Sequence, residues 1–148
     1  MGVLSSILEG KADKTIHAVR SDATTFDAVA RMCRARVGAL LVVDDEVPVG
    51  IISERDIMTR LLLERRDPST TRVGDVMSKE LVCIDLDAEL SEAMATMTTR
   101  RCRHLPVVQE GSIVGMVSIG DLVHWAMINQ EYEIRTLTEY VSGAYTHA

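Results

Sequence analysis

Two stretches of this chain end an apolar run on the same three landmarks. GIISERD at residues 50–56 and GMVSIGD at residues 115–121 each place Gly, Ser and Asp three residues apart, and the second follows the first by 65 residues. The same offset, without a gap, superimposes the residues before them. Asp22-Ala23 falls on Asp87-Ala88, Ala28 on Ala93, Met32 on Met97, Arg36 on Arg101, Leu40 on Leu105, Val42-Val43 on Val107-Val108, and Val49-Gly50 on Val114-Gly115. One register held over such a span marks a duplicated unit, which restricts the chain to a fold that uses one supersecondary motif twice.

Both copies have the same grammar. A β-prone segment (16–19; 81–84) leads through Asp-Ala into a pattern of helical period, apolar at Phe26, Val29, Ala30, Met32 and Cys33 in the first copy and at Leu90, Ala93, Met94 and Met97 in the second. Two apolar runs follow, separated by DDEVP (44–48) or QEGSI (109–113), a gap of hairpin size. A second helix is expected after each motif Ser, running through Asp56-Ile-Met-Thr-Arg-Leu or Asp121-Leu-Val-His-Trp-Ala. The predicted unit is β-α-β-β-α, and the predicted class is α+β.

Residues 64–71, ERRDPSTT, are polar and contain Pro68, so they read as the connection. Ahead of the first copy, VLSSIL (3–8) is answered by VGDVMS (73–78), now at an offset of 70, so five fewer residues separate lead-in from strand in the second copy. The expected organisation is one module over 1–148, with repeats at 3–63 and 73–126 and a helical tail at 127–148. Met127, Ile134, Leu137 and Val141 mark one face of that tail, and the single Trp and all three Tyr (132, 140 and 145) fall after residue 122. Two placements of the tail follow: folded on its own subunit, or forming a dimer contact, where aromatic anchors are enriched.

Composition excludes several classes. The longest apolar stretch, GALLVV at 38–43, is far below the roughly 18 to 20 residues of a membrane helix. The start, MGVLSSILEGKAD, has no cationic leader and is interrupted by Glu9 and Asp13, so neither export nor a membrane span is expected, and the cytoplasm is the expected location. A net charge of −6 opposes a nucleic-acid backbone. Cys33, Cys83 and Cys102 include no Cys-x-x-Cys and have no His at metal-ligand spacing, so they are expected to be small buried hydrophobes, with no metal site. The chain also lacks a phosphate-cradling glycine loop and a Gly-x-Ser-x-Gly, so an enzyme is not expected.

The repeated motif has two readings that draw on the same atoms. Ser-x-x-Asp where a strand becomes a helix is a relative of the capping box: the Ser oxygen accepts an orphan amide, and the Asp reaches back to the N-cap amide. An ionised Asp is also acceptor-only, so it can take the hydroxyls of a vicinal diol, while a helix N-terminus favours an anion. Cap and ligand contact do not exclude each other.

Two tandem units closing on this motif, with SDATTFDAV (21–29), LDAELSEAM (86–94), GALLVV and RHLPVV (103–108), resemble a CBS domain pair, the Bateman module, over roughly residues 3–126. The chain is similar to the stand-alone bacterial proteins of this kind. The resemblance implies repeats packed about a pseudo-twofold axis, two clefts that bind adenosine compounds (AMP, ADP, ATP, NADH), and homodimers. It also implies that Asp121, Asp56, Ser118 and Ser53 contact ribose or phosphate, and that each Asp serves a cleft completed by the other copy. The Asp121 cleft would add Met116, Arg103, His104, Ser21, Asp22 and Val37; the Asp56 cleft would add Ile51, Leu86, Asp87 and Cys102.

The copies differ in a way that favours the Asp121 cleft. Arg103 and His104 stand where the first copy has Gly38 and Ala39, and Gly120 leaves room beside Asp121 where Glu54 and Arg55 crowd Asp56. Asp22 is the discordant member, because a carboxylate beside a phosphate costs affinity unless it points away or caps the helix beginning near Thr24. The leading expectation is a non-catalytic regulatory module that binds an adenosine nucleotide as its ligand and has an unidentified protein target. The alternative is a ligand-free assembly or adaptor protein that acts through its dimer face and tail.

Overall fold

The computed structural model describes residues 3–129 together with 138, 140 and 141. The chain divides into two compact units, one of residues 16–81 and the other of residues 82–148 with 1–15. They are called here the Asp56 unit and the Asp121 unit. Each holds one repeat from its first strand onward and takes its lead-in helix from ahead of the other repeat: α1 (Val3–Gly10) lies in the Asp121 unit and α4 (Val73–Val76) in the Asp56 unit.

The Asp56 unit runs β1 (Ala18–Val19), α2 (Thr25–Ala35), β2 (Ala39–Asp44), β3 (Val47–Ser53) and α3 (Glu54–Asp56), which continues as a π-helix over Ile57–Leu62, then α4. The Asp121 unit runs α1, β4 (Ile84–Asp85), α5 (Leu90–Arg100), β5 (His104–Gln109), β6 (Ser112–Ser118) and α6 (Ile119–Ile128). Each has a three-stranded sheet in sequence order, the first strand parallel to the second and the last two forming an antiparallel hairpin. The expected β-α-β-β-α unit is present twice, and the fold is α+β.

The duplication extends to backbone detail. A register shift falls between Val42 and Val43 in one hairpin and between Val107 and Val108 in the other. Helices α2 and α5 both end on a left-handed arginine, Arg36 (φ 56) and Arg101 (φ 53), whose amides return to Met32 and Met97. Both hairpins turn on two positive-φ residues, the mirror-image geometry that matches strand twist: Asp45 and Glu46 (φ 49 and 67) in one, Glu110 and Gly111 (φ 51 and 80) in the other.

Each unit has its own core. Val19, Ala28, Met32, Leu40, Val42, Ile52, Leu61, Val73, Val76 and Met77 fill the Asp56 unit. In the Asp121 unit Leu4 and Ile7 of α1 pack with Leu90, Met94, Met97, Leu105, Val107, Val117 and Leu122. Each fully buried side chain of this size contributes about 1.5–3 kcal/mol, so the lead-in helix of each unit supplies part of its hydrophobic stabilisation. Trp125 and Tyr140 pack against the edge of the Asp121 core. Thr138, Tyr140 and Val141 are helical, while Tyr132, Ile134, Leu137 and Tyr145 lie outside the described residues.

Several expectations are corrected. The buried face of α2 is Thr25, Ala28 and Met32; Phe26 and Cys33 are exposed, and Val29 and Ala30 are half-buried. The buried stripe lies one position from the apolar pattern, because Thr25 occupies the place of Leu90 and buries its hydroxyl by donating to the Pro68 carbonyl at 3.1 Å. Cys83 is also exposed and Cys102 is half-buried, so the cysteines are not core residues. Cys83 precedes buried Ile84, and alternation along an extended segment turns it outward. Finally, the helix after Ser53 is not α-helical throughout: its Leu63 amide bonds to the Met58 carbonyl, five residues back.

Candidate functional site

Both motifs begin where a strand passes into a helix, and both close a full capping box. Ser53 Oγ accepts the Asp56 amide at 3.3 Å while the Asp56 carboxylate accepts the Ser53 amide at 3.0 Å; the corresponding distances for Ser118 and Asp121 are 3.1 and 2.8 Å. The capping reading of the motif is therefore correct in both copies. What differs is the rest of each carboxylate's surroundings.

In the Asp56 unit the residue after Met77 closes over the motif. Ser78 and Ile51 exchange both backbone hydrogen bonds, at 2.8 and 2.9 Å, and the Ser78 hydroxyl donates to Asp56 Oδ1 at 2.9 Å. Asp56 Oδ2 accepts from the amide of Ser53 and from its hydroxyl at 3.2 Å, and Arg60 Nε stands 4.0 Å from Oδ1. Both oxygens are engaged, and Asp56 is only 6% exposed. Gly50 permits this closure: a Cβ there would lie 2.7 Å from the Ser78 carbonyl oxygen and 2.8 Å from Met77 Sδ.

In the Asp121 unit one side chain takes over both tasks of Ser78. Lys11 Nζ donates to the Met116 carbonyl at 2.8 Å, the repeat counterpart of Ile51, and pairs with Asp121 Oδ2 at 3.0 Å. Oδ2 also takes the Ser118 amide, whereas Oδ1 has no hydrogen bond or ion pair among the described residues. The Asp121 and Lys11 side chains are 24% and 26% exposed, which leaves this carboxylate open where Asp56 is sealed. The counterpart of Gly50, Gly115, faces only the Leu8 side chain, with Cδ1 2.9 Å from a built Cβ.

The other expected site residues fall as follows. His104 pairs in register with Ser118, and the Arg103 carbonyl accepts the Ile119 amide at 2.9 Å, which places both at the start of α6 with Met116, Ser118 and Asp121. Arg103 is exposed and His104 half-buried. Ile51 bridges Ser78, whose hydroxyl reaches Asp56. Leu86 packs on the Asp121-unit core, Asp87 is exposed, and burial raises the Cys102 thiol above its usual range.

Ser21, Asp22 and Val37 belong to the Asp56 unit. Ser21 donates its hydroxyl and its amide to Asp44, and the hydroxyl bond first, then the amide bond, holds that carboxyl below its ordinary pKa. Val37 packs at the core edge. Asp22 does not cap α2, whose N-cap is Thr24 accepting the Asp27 amide at 3.1 Å; it pairs instead with Arg20 at 3.1 Å. It lines an open groove of about 440 Å³ in this unit with Arg20, Asp27, Arg31 and Arg34, so its charge is offset by the neighbouring arginines. Sequence reasoning missed Lys11 and Ser78. The shift from a 65- to a 70-residue offset at the lead-ins was the available signal, since it shows that the two segments reach their motifs differently.

Among the described residues no cluster of His, Cys, Asp and Glu is placed to hold a metal ion, and no helix is long and apolar enough to cross a membrane. Duplicated β-α-β-β-α units with a strand-to-helix Ser-x-x-Asp define a tandem-repeat α+β module, and the comparison with known proteins specifies which. The CBS domain model matches residues 10–63 and 73–128, and the chain belongs to the CBS domain family. It is 37% identical over 130 residues to the Arabidopsis thaliana protein "CBS domain-containing protein CBSX3, mitochondrial", covering 84% of this chain and 63% of the relative. The Bacillus subtilis CBS domain-containing protein YhcV is 36% identical over 112 residues, covering 76% of this chain and 79% of the relative. A solved protein with CBS domains from Burkholderia ambifaria superimposes with a TM-score of 0.82 at 37% identity, covering 88% of this chain and 97% of that one. The chain thus spans under two-thirds of the Arabidopsis relative's length and nearly all of the solved bacterial one. CBS pairs are in general regulatory modules rather than enzymes.

Proposed function

We propose that this chain is a non-catalytic sensor that binds an adenosine-containing ligand (AMP, ADP, ATP or NADH) through the Asp121 motif. The observation that carries the reading is Asp121 Oδ1, which accepts no hydrogen bond among the described residues and is open to a ribose hydroxyl, whereas both Asp56 oxygens already accept bonds and are buried. Ser118 and the first turn of α6 supply a hydroxyl and a helix N-terminus for phosphate, with Arg103 and His104 at the same end of the unit. Ser21, Asp22 and Val37 are further candidate ligand contacts, and Arg20 offsets the charge of Asp22. The second set, Ile51, Ser53, Asp56, Leu86, Asp87 and Cys102, is the weaker site. The protein works in the cytoplasm as a homodimer, and ligand binding changes what a protein target meets.

The test is a thermal-shift series with AMP, ADP, ATP and NADH on wild type, Asp121→Ala and Asp56→Ala. A ligand at 100 times its dissociation constant adds about 2.7 kcal/mol of stability. Stabilisation of the wild type that Asp121→Ala abolishes supports the reading, and a wild type that no compound stabilises sinks it.

A specific observation favours the assembly reading in that case. Leu62 and Leu63 are 69% and 74% exposed, and their repeat counterparts Met127 and Ile128 are 68% and 66% exposed. The duplication therefore keeps an apolar pair in the open twice, as an adaptor that docks through these helix ends requires.

A further inference from the structure

The geometry points to Lys11 as a second ligand-contacting residue of the Asp121 site, one that recognises a cis-diol jointly with Asp121. This rests on the adenosine-binding reading above and adds to it a residue and a specificity.

A lysine ammonium has three protons and no acceptor. Two of the Lys11 protons are accounted for by the Met116 carbonyl at 2.8 Å and Asp121 Oδ2 at 3.0 Å, and the third has no partner among the described residues. Beside it, Asp121 Oδ1 is an acceptor with no donor. The pair therefore presents one free acceptor and one free charged donor on adjacent groups. A ribose diol carries two adjacent hydroxyls, each both donor and acceptor, so one can donate to Oδ1 while the other accepts from Nζ. A carboxylate alone can only accept, and satisfies a diol less completely.

The opposite possibility is that Lys11 occupies the ligand's place and must leave. The Met116 carbonyl argues against it. In the Asp56 unit the equivalent carbonyl, that of Ile51, is bonded by the backbone amide of Ser78 at 2.8 Å and needs no side chain. Among the described residues the Met116 carbonyl has Lys11 as its side-chain donor and no counterpart of the Ser78 amide, so removing the ammonium orphans a carbonyl in half-buried surroundings and strips Oδ2 of its ion pair. Lys11 is better kept in place and shared. Its backbone reinforces this, since its amide caps the end of α1 by bonding the Leu8 carbonyl at 3.4 Å.

The experiment is calorimetric titration of full-length wild type, Lys11→Met, Lys11→Arg and Asp121→Asn with ADP and 2′-deoxy-ADP. A charge-assisted hydrogen bond predicts that Lys11→Met binds ADP about tenfold more weakly. It should also discriminate less between ADP and the deoxy compound, while Lys11→Arg keeps most of the affinity. If Lys11→Met binds ADP as well as or better than wild type while Asp121→Asn does not bind, the inference is overturned and the site reading stands. If wild type binds neither compound, both fall. Should Lys11→Met fail to fold, amine acetylation of wild type decides. ADP must slow modification of Lys11 relative to exposed Lys14 and Lys79, and equal rates with and without ADP overturn the inference.

Discussion

Asp56 and Asp121 hold the same position in the repeat, cap the same kind of helix with the same partners, and yet are different objects. Asp56 is roofed by the Ser78 backbone and hydroxyl and is buried with both oxygens bonded; Asp121 is held from one side by a single lysine and keeps one oxygen without a hydrogen bond among the described residues. The lesson is that a duplicated motif fixes the cap, while the segment crossing over the motif decides whether the carboxylate can also serve a ligand.

The difference can be broken at its hinge. Gly50→Ala is expected to be the most damaging change, by about 2–4 kcal/mol, because the new methyl meets the Ser78 carbonyl and must break the bridge that closes the motif. Gly115→Ala meets only the ends of the Leu8 side chain and should cost about 1 kcal/mol or less if that leucine repacks. Urea denaturation of the two variants compares them directly, and equal losses would deny that backbone closure distinguishes the copies.

Removing the carboxylates comes next. Asp56→Ala leaves the Ser78 hydroxyl, the Ser53 amide and a sealed site unpaired and should cost about 2–3 kcal/mol. Asp121→Ala takes one exposed ion pair and one cap bond and should cost about 1 kcal/mol, because a half-open pair is screened. Chemical denaturation should therefore rank Asp56 first for stability, the reverse of its proposed rank for ligand binding.

The hairpin turns offer a smaller, opposite effect. Glu46 holds φ 67 where the other copy has Gly111, so Glu46→Gly creates an Asp-Gly turn and should stabilise by up to about 1 kcal/mol, read as a raised denaturation midpoint.

The smallest effect is a titration. Ser21→Ala removes the hydroxyl that is the largest cause of Asp44's lowered pKa, so Asp44 should titrate at higher pH by carboxyl-resolved NMR. The sign follows: a depressed carboxyl favours the fold above its unfolded pKa and loses that contribution as pH falls through the folded value. The variant should therefore lose its pH dependence in that acid range, and an unchanged Asp44 titration would remove Ser21 as its cause.

Much of this was legible in the residues because it is local. The ungapped 65-residue register carried the element order, the matched hairpins and both capping boxes, all of which depend on neighbours a few residues apart. The sequence also points to the Asp121 copy as the roomier one, through Gly120 and the absence of Glu54 and Arg55 counterparts, and the carboxylate there is the more exposed of the two. The reason that the structure supplies is different, since Glu54 and Arg55 are exposed and it is Ser78 that closes Asp56. That could not be read from spacing, because Ser78 and Lys11 reach their motifs from 22 and 105 residues away in sequence. The exposed cysteines and the buried Thr25 failed for a related cause: hydrophobicity assigns a face by residue type, whereas burial follows which partner, here the Pro68 carbonyl, is at hand.

A crystal structure of the full-length protein with ADP would test the central claim most directly. The account predicts a ribose seated on Asp121 Oδ1 with Lys11 still bonded to the Met116 carbonyl, and Asp56 still closed by Ser78. A ribose on Asp56, with Ser78 displaced and Asp121 bare, would contradict it.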